Sequence, residues 1–264
     1  LGSVRLKERT QVTPENEAHG ARNPRLSGTE GFFESIRGGL IVSCQARVGE
    51  PLYGSDFMAE MAKAAQLGGA CGIRANGEED VAAIVRAVDL PVIGIAKRRV
   101  NGYPVYITPS GEDAAGLARA GSAMIAVDGT SGRRPPDSSG RSWTLSELVT
   151  YIHDELGLPA MADVSVLDEG LRAEDLGFDC VATTLSGYTP YSPALDEPDF
   201  GLVGALAARI SVPVIAEGRI TVPEEVSRAL ALGAWAVVVG RAITMPHTIV
   251  KRFVAATSRK EVSK

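Results

Sequence analysis

The sequence predicts a single-domain α/β protein folded as a (β/α)8 barrel, and three observations carry that reading. Eight short apolar runs alternate with Ala-rich, charged segments of helical spacing, the mark of repeated βα units around a parallel sheet. The phrases "LGGACGI", "RAGSAMIAVD", "LGFDCVATT" and "LGAWAVVVG" each end a helix at Gly and lead into an even-numbered run, as a left-handed helix cap requires. The third, fifth and seventh runs are reached instead through "DLPVIGIA", "GLPAMAD" and "SVPVIAEG", where Pro closes the preceding helix and presets an extended backbone. A pair of such units repeated four times closes into a barrel of about 250 residues. An open doubly wound sheet is the structural rival, but no Gly-x-Gly-x-x-Gly follows the first run and no Walker A phosphate loop occurs.

Residues 1–31 show neither apolar period and are rich in Pro, Gly, Asn and Glu, so a flexible N-terminal tail is expected there. The barrel is expected over residues 32–258 and a C-terminal tail over 259–264. Its strands are "GGLIVSCQA", "GACGIRANG", "PVIGIAKRR", "SAMIAVDGT", "PAMADVS", "CVATTLSG", "PVIAEGRI" and "AVVVGRAI", each but the last plainly followed by helix-like sequence. With 45% hydrophobic and 22% charged residues in 264, the chain has material for one large core. The net charge of -5 and pI near 5.4 leave no basic footprint, so no nucleic-acid partner is expected, while local cation clusters leave room for an anionic metabolite. No apolar run is long enough to span a bilayer and no secretory signal is seen, so no membrane partner is expected. Cys44, Cys71 and Cys180 are odd in number and far apart, which argues against a disulfide framework and for a reducing cytoplasm.

In such a barrel, chemistry sits where strands end. Polar residues end nearly every run: Gln45, Arg74, Lys97, Asp128, Asp163, Thr183 with Thr184, Glu217 and Arg241. Any one alone reads equally well as a cap at the solvent boundary; converging from eight strands, they read as a site. Lys97 is a poor base near its reference pKa of about 10.4, but burial or neighbouring cations bring an amine towards neutrality. Strand alternation sends Lys97 and Arg99 to one face and leaves Arg98 for a structural partner on the other. Glu217 ends an apolar strand, where desolvation favours the protonated form. Together the two make an acid/base pair, with a structural ion pair across the mouth as the rival. Gly218 and Gly240 lie after the seventh and eighth strands, where barrels cradle phosphate with backbone N–H groups, and Arg241 would add a charge-assisted contact to the same anion. Turn chemistry and a surface ion pair are their respective rivals. Cys44 reads as a small buried hydrophobe. His19, His153 and His247 are scattered, and Asp128 and Asp163 lack a third ligand, so no metal is expected and Asp128 is better suited to a substrate hydroxyl.

With these residues in view, the chain resembles the N-acetylmannosamine-6-phosphate 2-epimerase family. The matching stretches are "GGLIVSCQA", "GEPLYGS", "GIRANG", "YPVYITP", "ADVSVLDEG", "LGFDCVATTLSGYT", "PDFGLV", "PVIAEGRI" and "LGAWAVVVGRAIT", from about residue 38 to about residue 253. The resemblance implies interconversion of N-acetylmannosamine 6-phosphate and N-acetylglucosamine 6-phosphate, a step of sialic-acid and amino-sugar catabolism, with no cofactor. It implies that Lys97 transfers the C2 proton and that Glu217 assists ring opening or serves as the partner acid. It places Gln45, Arg74 and Asp128 in sugar recognition and in orienting that pair, and Thr184, Gly187 and Tyr188 of "TTLSGYT" in substrate binding. It further implies a homodimer. Two departures stand out. Where the family reads Gly-Ser or Gly-Gly and then Ile-Thr-Arg-Pro, this chain has "GRAITMP", so Arg241 is expected to replace the phosphate contact missing at Met245. The loop "GTSGRRPPDSSGRSW" is longer than usual and reads as a mobile lid or a plain insertion. The rival functions are an epimerase or isomerase of another sugar phosphate and a noncatalytic sugar-phosphate sensor.

Overall fold

A computed structural model of the protein describes residues 28–257. Eight strands, β1 (Leu40–Cys44), β2 (Gly72–Asn76), β3 (Val92–Ile95), β4 (Met124–Asp128), β5 (Ala160–Asp163), β6 (Cys180–Ala182), β7 (Val214–Glu217) and β8 (Ala236–Val239), form a closed barrel in sequence order. Every neighbouring pair is parallel, including β8 against β1, which closes the ring. The strands are linked by α2 (Ser55–Leu67), α3 (Glu78–Ala87), α4 (Gly111–Arg119), α5 (Leu145–Asp154), α6 (Leu167–Asp175), α7 (Phe200–Ala207) and α8 (Pro223–Ala231). A short α9 (Arg241–Thr244) and then α10 (Pro246–Ala255) follow β8.

The twofold phrasing of the sequence has a direct structural counterpart. Gly69, Gly121, Gly177 and Gly233, each just before an even strand, have φ of 87°, 97°, 88° and 98°. The next amide in each case reaches back to the helix, Ala70 to Ala65 O, Ser122 to Leu117 O, Phe178 to Ala173 O and Ala234 to Ala229 O, so each helix ends in a Schellman cap that only glycine fits without strain. Pro91, Pro159 and Pro213 stand before the odd strands, donate nothing, and accept through their carbonyls from Ile73, Ile125 and Val181 N–H. The missing proline donor therefore leaves no gap in the ladder.

Alternation along the strands separates two apolar layers. Val42, Cys44, Ile73, Ala75, Ile125, Val127 and Ala162 face outward and pack with helix residues such as Met58, Leu117, Leu148 and Leu206. Ile41, Ile93, Ile95, Met124, Met161, Cys180 and Ile215 face inward and form a second cluster with Phe32, Phe33 and Ile36. Those last three residues belong to α1 (Thr29–Ile36), which stoppers the N-terminal end of the barrel. Trp235 Nε1 donates to Phe33 O at 2.8 Å and ties α1 to the start of β8. This helix begins three residues before the expected domain start at Phe32, because Thr29–Gly31 supply its first turn. The remainder of the expected N-terminal tail, residues 1–27, and the end of the chain, 258–264, lie outside the described residues.

Candidate active site

The inward positions change character toward the C-terminal ends of the strands. Below they are apolar; above they are Gln45, Arg74, Lys97, Asp163, Thr184 and Glu217. Arg74, in the middle of β2, is fully buried, a placement that a charged group tolerates only when paired. It donates from Nη2 to Asp163 Oδ2 and from Nη1 to Glu217 Oε2, each at 2.5 Å. Burial opposes the guanidinium charge, and the two carboxylates outweigh it, so its pKa is raised. Thr184 Oγ1 lies 2.6 Å from Asp163 Oδ1 and 3.2 Å from both Arg74 Nη1 and Glu217 Oε2. Its single hydroxyl proton goes to the nearer Asp163, leaving its lone pairs for Arg74.

Glu217 stands at the end of β7. Its pKa is raised, first by burial and against the pull of Arg74, with the neighbouring Asp163 adding to the rise. Lys97 follows β3. Burial at the barrel mouth, then Arg74, lowers its pKa to about 8, while Glu217 and Asp163 oppose the change. The residue is exposed toward the open mouth, so water tempers that shift, and the direction is set by the cations and walls on its inner side. Lys97 Nζ donates to Gln45 Oε1 at 2.6 Å, and Gln45 Nε2 donates to Ser43 Oγ at 2.8 Å. The amine is thus held from β1, and its backbone N–H from β2, through Asn76 Oδ1 at 2.8 Å.

The chain after Lys97 folds back on itself. Lys97 bridges Ile107 in antiparallel fashion, and Arg98 N–H donates to Tyr106 O at 2.9 Å. Arg98 points outward, donating to Asp113 Oδ2 from Nη2 at 3.0 Å and to Pro136 O from Nη1 at 3.2 Å, the structural role that alternation assigned to it. The long loop after β4 is pinned at the same place. Ser138 donates to Glu112, and Asp137 accepts from Trp143 Nε1 at 2.9 Å, so the loop is an insertion packed on α4 rather than a lid.

This fold-back corrects the expectation for Asp128. Tyr106 and Ile107 lie between it and the cavity, and Asp128 N–H donates to Ile107 O at 2.9 Å. Its Oδ1 accepts from Thr130 N and Oγ1, and its Oδ2 from Tyr106 N. Asp128 is a buried brace, 1% exposed, and the carboxylate beside the catalytic candidates is Asp163. Gly187 is corrected as well. It does not line the cavity; its φ is 79°, and a Cβ there would lie 2.8 Å from Arg219 Nη1, so its smallness seats that guanidinium.

The remaining expected residues converge. A cavity of about 560 Å³ is floored by Arg74, Thr184 and Glu217, with Gln45 and Lys97 on one side. Tyr188 stands at the rim, and Gly218, Gly240 and Arg241 line the far end with Thr221, Thr244 and Met245. Arg47, Tyr106 and Arg219 also line it and escaped the sequence reading. Arg99 lines it too, a residue which that reading set on the Lys97 face without naming it a site residue. Arg99 lies 3.8 Å over the Tyr106 ring, and alternation from Lys97 was the signal that pointed it inward. Arg219 was detectable only as the residue after Gly218. Six lining cations, Arg47, Arg74, Lys97, Arg99, Arg219 and Arg241, face two lining carboxylates, Asp196 and Glu217, in a chain of net charge -5. The cavity is a cationic focus suited to a small anion.

The comparisons agree with this chemistry. A family model described as "Putative N-acetylmannosamine-6-phosphate epimerase" matches residues 58–259. A relative from Caldanaerobacter subterraneus subsp. tengcongensis is 48% identical over 233 residues, covering 88% of this chain and 96% of its own. One from Clostridioides difficile is 45% identical over 225 residues, covering 85% and 98%. Both are described as "Putative N-acetylmannosamine-6-phosphate 2-epimerase". The solved N-acetylmannosamine-6-phosphate 2-epimerase from Clostridium perfringens superposes with a TM-score of 0.81 at 44% identity, over 93% of this chain and 100% of that one. A closed eight-stranded barrel, a Lys and a Glu on one cationic cavity, and these likenesses lead to one conclusion: the chain belongs to the N-acetylmannosamine-6-phosphate 2-epimerase family.

Proposed function

We propose that Lys97 and Glu217 are the proton-transfer pair with which this epimerase inverts C2 of N-acetylmannosamine 6-phosphate to give N-acetylglucosamine 6-phosphate. The observation that carries the assignment is an amine with a lowered pKa and a carboxyl with a raised one on a single cavity, the separation of titrations that marks acid/base partners. C2 lies next to the aldehyde that ring opening unmasks, so its hydrogen is acidic. Neutral Lys97 takes that proton, the C2–H electron pair passes into an enolate, and protonated Glu217 returns a proton to the opposite face. The pair then stands as ammonium and carboxylate, the state from which the reverse reaction starts. No electrons leave the substrate, so the scheme uses no cofactor.

The surrounding groups have supporting parts. Gln45 orients Lys97, and Arg74 with Asp163 fixes Glu217 while balancing its charge. Backbone N–H groups at Gly218 and Gly240, with Arg241, receive the phosphate. The reaction serves amino-sugar and sialic-acid catabolism. Three unpaired cysteines support a cytoplasmic setting. A second copy of the chain is the proposed partner. None of the ten residues of α10 is buried, and Val250, Phe253 and Val254 present an apolar stripe on it. Light scattering is expected to report a dimer that Phe253→Glu splits.

The test is proton NMR of N-acetylmannosamine 6-phosphate in deuterium oxide. Wild type is expected to form the epimer with solvent deuterium at C2. Lys97→Ala and Glu217→Gln are each expected to lower the rate by about 10²- to 10⁴-fold while remaining folded. Epimer formation at wild-type rate by Lys97→Ala would remove it from the pair.

A further inference from the structure

We infer that Arg219 is a positioning residue that latches the loop between β6 and α7 to the end of β7, and so keeps Thr184 and Tyr188 at the cavity. What the latch serves rests on the proton-transfer reading above; the latch itself rests on geometry.

Arg219 has φ of 59°, one of two non-glycine residues with positive φ among those described. Glycine is the residue suited to that backbone, and any side chain there is disfavoured. An arginine held in such a place needs a compensating use for its side chain. Its guanidinium supplies one. Nε donates to Glu197 O and Nη1 to Ser186 O, both at 2.8 Å. The two acceptors bracket the loop, which runs from Thr183 to Asp199. Both are main-chain carbonyls, so the contact fixes the path of the backbone rather than the rotamer of another side chain.

The loop is shaped to receive it. Gly187 leaves the space that a Cβ would take from Nη1, and the Tyr188 ring centre lies 6.0 Å from the guanidinium carbon. Within the loop, Gly187 N–H donates to Ser192 Oγ at 2.9 Å, and Ser186 Oγ donates to Asp199 Oδ2 at 2.6 Å. Asp199 in turn caps α7 by accepting from Leu202 N–H at 2.9 Å. These bonds make the loop a unit. Its first residues are tied to β7 by Thr183, through the Glu217 backbone and Ile215 O, and by Thr184, while Arg219 ties the part beyond them, at Ser186 and Glu197, to the end of β7. Thr184, at the start of the same loop, touches Glu217, Asp163 and Arg74. Glu217 itself lies two residues before Arg219. The latch therefore holds the two sides of the Glu217 environment in register.

The rival role for an arginine lining this cavity is a direct grip on the phosphate. The two roles separate experimentally. Arg219→Ala removes the guanidinium and keeps the unfavourable backbone; Arg219→Gly removes both; Arg219→Lys keeps a charge that cannot span two carbonyls. If the latch operates, Ala and Gly variants both lose amide hydrogen-exchange protection over residues 185–198, by about tenfold or more. Both also lower kcat about tenfold with little change in KM, and Lys restores only a part. Unchanged exchange across the loop in the Ala and Gly variants overturns the proposal. So does a loss confined to KM and fully rescued by Lys, which assigns the arginine to the anion. Wild-type loop protection and activity in the Gly variant likewise overturns it, because the backbone alone would then account for the position. Should wild type form no epimer, the proton-transfer reading fails on its own, and the exchange measurement still decides the latch.

Discussion

The two ends of the barrel interior are built from the same strands by opposite rules. At the lower end, Ile41, Ile93, Met124, Met161, Cys180 and Ile215 close over one another and over Phe32 and Phe33 of α1, and nothing there can gain or lose a proton near neutral pH. At the upper end, two or three residues further along each strand, Arg74, Asp163 and Glu217 form a charged group with almost no water. The lower layer draws its stability from area removed from water. The upper layer spends part of that stability on desolvating charges, repaid only while every partner is present. The difference separates residues whose loss unfolds the protein from residues whose loss silences it.

Arg74 is where that separation should break. Arg74→Met leaves Asp163 and Glu217 facing each other unpaired, with an expected stability loss of about 3–5 kcal/mol in urea unfolding and near-complete loss of C2 exchange. Ile93→Ala sharpens the contrast. It should lower stability by about 2–4 kcal/mol while the protein that stays folded keeps kcat within about twofold.

The pH profile tests the upper layer alone. Lys97 must be neutral and Glu217 protonated in one direction, and the reverse in the other, so the active forms carry one proton between them. Above the Lys97 pKa of about 8 the pair has no proton to return, and kcat/KM should fall about tenfold per pH unit. On the acid side it should fall again, where both groups are protonated and no base remains. A profile that rises through about 8 to a plateau would instead make Lys97 the sole base for both faces. The smallest effect is expected at the rim. Arg241→Ala should raise KM about 2- to 5-fold with kcat unchanged, roughly the worth of one solvent-exposed charge contact.

Much of this was legible in the sequence because the strand ends and helix caps are local chemistry. The glycine caps precede all four even strands and a proline precedes three of the four odd ones, so the barrel follows from the repetition of one paired phrase. Lys97, Glu217, Gln45, Thr184 and Arg241 stood out as polar residues ending apolar runs, Gly218 and Gly240 as the residues after the last two strands, and Arg74 as a charge in an apolar run, which β2 carries mid-strand; all eight line the cavity. Asp128 satisfies the same rule and is nonetheless a brace, since whether the loop after β3 folds over β4 depends on contacts between distant segments. Asp163 could not be ranked above it without that loop. Gly187 was read as touching substrate, whereas its neighbour is Arg219, thirty-two positions on by the numbering. Helix α1 was missed in part because its first turn, "TEG", is polar, with no apolar residue to announce it.

The bond from Trp235 to Phe33, together with the pairing of β8 with β1, also has a consequence for synthesis. Two hundred and two positions separate these partners, so the first strand keeps one edge bare while the ribosome makes all the others. Neither the ring nor its stopper can form until the eighth strand has emerged. Closure is thus a late event, and the nascent chain must be shielded from its own sticky edge until the last quarter is translated.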